Sequence, residues 1–207
     1  MRKQIEITVP DNWADVTLKK YITTQKDLES YKDDEDAQLA FLMYHMCNID
    51  LDKLQKISKS DYDYIANQLI TFMNETNLPL QKFVTIDGIE YGFEPNLSKM
   101  SYGAYVDITK YSELNLNEDW ASIMSILYRP VDKKLLDTYS IQPYEGKIDT
   151  DKWLNVTMDI HFGAFFFFVH LLMDLLNSTQ NSLMQKLDTA VDSLQTLVKN
   201  GEHTQLS

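Results

Sequence analysis

Glycine and proline are scarce in this chain, six and five among 207 residues. Both residues punctuate turns, so their scarcity argues against a turn-rich sandwich and in favour of helices. Cysteine is almost missing. Cys47 stands alone, which excludes an intrachain disulfide, and its place in an apolar helical pattern reads as a buried reduced thiol that suits a reducing compartment. Basic residues are outnumbered, 19 Lys plus Arg against 31 Asp plus Glu, for a formal charge of -12, and no three of them are consecutive. Such a surface repels phosphate backbones and anionic lipid heads, so nucleic acid is not an expected partner. The opening MRKQIEITVP has two cations but no apolar h-region, so no signal peptide is read there.

Catalytic signatures are missing as well. The chain holds no nucleophile elbow, P-loop, dinucleotide fingerprint, HExxH or CxxC, and Asp50-Leu51-Asp52 does not extend into an EF-hand loop. His45 precedes Cys47 by two residues, which is no zinc spacing. His170 and Asp174 are spaced i, i+4 and could share a metal or serve a small enzyme as an acid–base pair. The plainer alternative, a buried polar pair satisfied by its own hydrogen bond, is favoured. His161 lies half a turn out of phase with His170, so the two cannot meet one ion from one helix. No catalytic residue, cofactor or metal site is expected.

What the chain does have is apolar. Hydrophobic residues make up 44% of it, enough for one substantial core or a core with a protruding element. Ile160 to Leu176, IHFGAFFFFVHLLMDLL, carries five phenylalanines and four leucines, interrupted by His161, His170 and Asp174. A helix apolar on nearly every face must be buried, and the rest of the fold is expected to surround it. Its 17 residues are short for a membrane span, no basic cluster flanks it, and Asp174 would cost several kcal/mol in hydrocarbon. No membrane association is expected.

Taken in order, Ile5, Ile7 and Val9 alternate with polar residues and predict a strand near 3–9, ended by Pro10. Thr17 is the predicted N-cap of a helix through Leu28, and the acidic run Asp33 to Asp36 is either a loop or the charged start of a helix through Cys47. Asp50 opens a short helix, and Ser60 with Asp63 resembles a capping box for another through Met73. Asp87-Gly88 between 82–86 and 89–94 predicts a type I′ hairpin, and with 3–9 a three-stranded sheet. Ser101 and Asn117 are predicted caps for helices carrying Tyr105, Val106, Ile108 and Tyr111, then Trp120, Ile123, Met124 and Leu127. Pro130 biases Arg129 toward an extended conformation; residues 139–148 read as a strand or draped loop, and Asp159 as the cap of the apolar helix.

Beyond Leu176, Leu183, Leu187, Ala190, Leu194 and Leu197 form a heptad seam, widened by Met184, Val191 and Val198. The expected organisation is mainly α (α+β): one helical domain over 1–178 with a small antiparallel sheet, then an amphipathic C-terminal helix and frayed tail over 179–207. The candidate partner-binding residues are Leu183, Met184, Leu187, Val191, Leu194 and Val198. To these is added Arg129, held between Tyr128 and Pro130, whose guanidinium could instead cap carbonyls or pair with an acid. Twelve tyrosines and nine methionines suit both core and adaptable interface.

ITVPDNW and TLKKY, then EYGFEPNLSKMSYGAYVDI, SILYRP, IQPYEG and MDIHFGAFFFFVHLL, resemble in order and wording a family of small proteins of tailed bacteriophages. The family occurs in crAss-like and related marine phages and is described as tail assembly chaperones or as virion-module proteins. The resemblance covers most of residues 5–176. It implies an assembly role without catalysis, with other phage proteins (tape-measure, tail or neck proteins) as partners in the host cytoplasm. A permanent virion part, such as a neck, ring or tail adaptor that forms a homo-oligomer, is the alternative. The family contributes no catalytic residues.

Overall fold

The computed structural model describes residues 6–75, 78–112, 116–136 and 138–168. The chain divides into two compact units, Met1–Ala164 and Phe165–Ser207. In the second, residues 165–168 are helical, with the Phe165 and Phe166 rings tilted at 60° and 5.7 Å apart. The expected boundary at 178/179 and the heptad helix with Leu183, Met184, Leu187, Val191, Leu194 and Val198 lie outside the described residues, as do His170 and Asp174.

The first unit is mainly helical with a small antiparallel sheet. After a 3-10 turn at Trp13–Asp15, α1 (Leu18–Ser30) starts where the Thr17 hydroxyl accepts from the Lys20 amide at 3.3 Å. Helix α2 (Glu35–Cys47) starts at Asp34, whose carboxylate accepts from the Ala37 amide at 3.0 Å, while Glu35 and Asp36 place further negative charge at the helix's positive end. Helix α3 (Leu51–Leu54) follows Asp50, whose carboxylate makes no cap bond and pairs with Lys53 at 2.6 Å. Helix α4 (Lys59–Met73) is capped by Ser58, with Asp61 three residues on. The box thus sits two residues earlier than Ser60 and Asp63, and the extra half turn comes from Lys59 and Ser60, which are both helical.

The hairpin of β1 (Phe83–Ile86) and β2 (Ile89–Phe93) forms in the register the Asp-Gly signal requires, with Asp87 and Gly88 at φ of 52° and 78°. Its sheet partner is not the N-terminal segment. Residues 6–9 form no strand, and residues 3–5 lie outside the described ones. Instead β3 (Tyr128–Leu135) pairs with β2 and β4 (Thr138–Ile141) pairs with β3, completing a four-stranded antiparallel sheet in sequence order. Between β2 and β3 run α5 (Tyr102–Ser112) and α6 (Leu116–Leu127). Asn117, the predicted cap, is itself a residue of α6.

A short α7 (Asp151–Leu154) leads into α8 (158–168). Asp159 is in the first turn of α8, where it accepts hydrogen bonds from the Thr157 hydroxyl at 2.5 Å and the Gln81 amide at 2.7 Å. An antiparallel bridge of Thr17 with Thr157 ties the start of the unit to its end, through Leu18 N to Val156 O at 3.0 Å and Met158 N to Val16 O at 2.8 Å. Within the apolar segment only the start is buried as expected, His161 and Ala164 being at most 2% exposed, whereas Phe162, Phe165, Phe166 and Phe168 are half-buried and Phe167 is 38% exposed, because one stripe of the helix is enclosed and its other sides are only partly so. Its remainder from 169 to 176 is outside the described residues. Gly163 permits the close packing here, since a Cβ on it would stand 2.5 Å from the Pro79 carbonyl oxygen. No helix of the described residues is long and apolar enough to cross a membrane.

Candidate functional site

Arg129, the most distinctive local feature of the sequence, is occupied within its own unit. Its Nη1 donates to the Ile126 carbonyl at 2.6 Å, Nε to the Gln142 carbonyl at 2.8 Å and Nη2 to the Glu94 carboxylate at 2.5 Å. The two charged side chains are 12% and 9% exposed. Helix α6 ends at Leu127 because Pro130 forbids its continuation, and the guanidinium takes up a carbonyl the helix end leaves unpaired. Arg129 therefore joins three segments: the end of β2, the end of α6 and the 142–149 loop. The loop is held again by Tyr144, whose hydroxyl donates to Asp107 at 2.6 Å; burial and that carboxylate push its pKa up.

Two histidines lie in sites of opposite kind. His161 is fully buried between the rings of Trp153 and Trp120, and its Nε2–H donates to the Trp153 carbonyl at 3.1 Å. Nδ1 has no hydrogen-bond partner among the described residues. Burial lowers its pKa to about 4, against the pull of the Trp153 and Val156 carbonyls and of Asp159, so the ring is neutral at pH 7. His45 on α2 meets Asp27 on α1 at 2.6 Å, at the edge of an open groove of about 660 Å³ whose lining includes Lys19, Lys20, Tyr44, His45 and Asn48. Eighteen residues separate that pair in sequence, and no periodicity signals it. Beside the groove, Lys20 Nζ donates to the Met46 carbonyl at 2.9 Å, and burial raises the Cys47 thiol to about 11, which leaves it protonated and unreactive. Among the described residues no group of three His, Cys, Asp or Glu could hold a metal ion.

Several large apolar side chains stay outside the core, among them Tyr64 and Ile70 on α4, Ile89 at the hairpin turn and two clusters, one on α5 and one at the β3–β4 turn. Tyr102, Tyr105 and Val106 project outward from α5 at 82%, 60% and 42% exposure, while Ala104 on the opposite side of the helix is fully buried. At the β3–β4 turn Leu135 and Leu136 are also exposed, and Leu136 has a left-handed φ of 51°, which costs a leucine about 1–2 kcal/mol. Comparison of the chain with family models, curated proteins and solved structures gives no match.

Proposed function

We propose that the chain is a non-enzymatic morphogenesis protein of a tailed phage, acting as a tail assembly chaperone that binds other phage proteins in the host cytoplasm. The observation that carries this reading is the outward Tyr102–Tyr105–Val106 face, apolar area kept in water on a helix whose other side is packed. Rigid amphipathic tyrosines of this kind supply contact area to a partner. A net charge of -12 supports solubility while such a surface waits for its partner. The phage resemblance adds the kind of partner, a long helical tape-measure chain or a tail or neck protein. The leucine seam from Leu183 to Val198 is a second proposed contact.

Affinity capture of the tagged chain from infected cells, followed by mass spectrometry, tests the reading. Co-purification of tail or tape-measure proteins is expected, with the chain absent from finished particles. Many copies per purified particle would favour a retained neck, ring or adaptor part. Deletion of 180–207 that leaves every partner in place would remove the leucine seam from the proposal.

A further inference from the structure

We propose that residues 143–148 form a releasable strap across α5, closed by one latch, the hydrogen bond from Tyr144 to Asp107. This is a conformational device that goes beyond the assembly reading and does not depend on it. Backbone groups fasten the strap at both ends. At one end the Gln142 amide donates to the Pro130 carbonyl at 2.9 Å, and the Gln142 carbonyl accepts from Arg129 Nε at 2.8 Å. At the other the Asp149 amide donates to the Ser125 hydroxyl at 3.0 Å, and the Asp149 carboxylate pairs with Lys152 at 2.9 Å.

The stretch between those ends is held differently. Among the described residues no backbone N–H or C=O of 143–148 makes a hydrogen bond, and Pro143 has no N–H to give. Glu145 and Lys147 pair at 3.1 Å inside the strap itself, with both side chains exposed, so that ion pair ties it to nothing else. Gly146 has a φ of 75°, and a Cβ there would meet nothing within 4 Å, which leaves the apex without support. The remaining tie is Tyr144. Its ring lies along one turn of α5, with Cδ1 3.9 Å from where a Cβ on Gly103 would stand, and its hydroxyl donates to Asp107 at 2.6 Å. Gly103 and Asp107 are related as i, i+4 and share one side of the helix.

Segments poor in backbone hydrogen bonds open at lower free energy than the domain that carries them. Opening the strap breaks the latch and lifts the half-buried Tyr144 and Ile148, while the β3–β4 ladder and the bridge of Thr17 with Thr157 stay in place. In the closed form the Gly103–Asp107 side of α5 is covered by the chain's own tyrosine; in the open form it is bare. The latch sets the balance between the two.

Trypsin acting on the full chain tests this, because Lys147 is the strap's own cleavage site. Cutting tracks the population of the open form when opening and closing are fast relative to cleavage. Site-resolved mass spectrometry is expected to show the Lys147–Ile148 bond cut at least about tenfold faster than Lys133–Lys134, which the β3–β4 ladder protects. Urea below the unfolding transition should leave the Lys147 rate nearly constant and raise the Lys133 rate steeply, since urea sensitivity grows with the surface an opening exposes. Tyr144→Phe, which keeps the ring and removes the donor, should raise the Lys147 rate about tenfold, and Asp107→Asn should raise it as well, with circular dichroism unchanged in both. An unchanged Lys147 rate in either folded variant overturns the proposal. So does a Lys147 rate that climbs with urea as steeply as that of Lys133, which would mean the strap opens only when the whole unit unfolds.

Discussion

Trp153 and Tyr105 are both aromatic residues on helices of the same unit, and they have opposite fates. Trp153 is fully buried, packed against Tyr91 at 5.9 Å, Tyr128 at 5.3 Å and His161 at 6.2 Å, and its carbonyl accepts the imidazole N–H. Tyr105 is 60% exposed and stands between Tyr102 and Val106 on the outside of α5. Residue type does not separate them. What does is what converges on each: β2, β3 and α8 place Tyr91, Tyr128 and His161 around Trp153, while Tyr102, Tyr105 and Val106 on the outer face of α5 stay exposed. One region is where the fold's stability resides, and the other is available for contact.

The largest expected effect lies in the first region. Trp153→Ala should cost about 3–5 kcal/mol in chemical denaturation, a large part of the stability of a domain this size. A loss below about 1 kcal/mol would break the comparison, because it would mean the aromatic box is not the core. Arg129→Met should cost about 3 kcal/mol by leaving the Glu94 carboxylate buried and unpaired, and adding Glu94→Gln should recover part of that loss. If the single and double variants are equally unstable, the guanidinium's bonds to the Ile126 and Gln142 carbonyls matter more than its charge pair.

His161 sharpens the picture through pH. Its folded pKa, lowered to about 4 by burial, lies beneath the ordinary value of 6.5, so the neutral ring favours folding above pH 6.5. That contribution is lost as pH falls from 6.5 through 4, and over the whole window it amounts to about 3 kcal/mol. His161→Gln should flatten this part of a stability profile measured by urea denaturation at successive pH values. A profile with the same slope in wild type and variant would assign the acid sensitivity to the carboxylates. The smallest effect is expected outside: Tyr102→Ser with Tyr105→Ser should shift stability by no more than about 0.5 kcal/mol. A loss above about 2 kcal/mol would show that this face belongs to the core after all.

Much of the local structure was legible because its causes are local. Thr17 begins a helix, and Asp87-Gly88 turns a hairpin, through groups within three residues of each other. The cap at Ser58 was misplaced by two residues because Ser58 and Ser60 both precede an Asp by three, and chemistry at that range does not choose between them. The third strand was assigned to 3–9 because alternation reports that a segment suits a sheet edge and says nothing about which edge receives it. Tyr128–Leu135 takes that place, its first residues paired with Phe93, Gly92 and Tyr91. Of the candidate site residues, Arg129 was singled out by its neighbours Tyr128 and Pro130, yet its three acceptors lie on separate segments. The His45–Asp27 pair left no trace in spacing, since it joins two different helices.

The sequence by itself determined the helical bias, the turns and caps, the acidity, and the burial of the start of the apolar segment, because each follows from composition or from contacts a few residues long. The tertiary structure alone decided which strand completes the sheet, that Arg129 is enclosed, and that one face of α5 is left open to water. Those outcomes depend on which distant segments arrive together, and a side chain's burial is fixed by what reaches it, which its own neighbours in the chain do not specify.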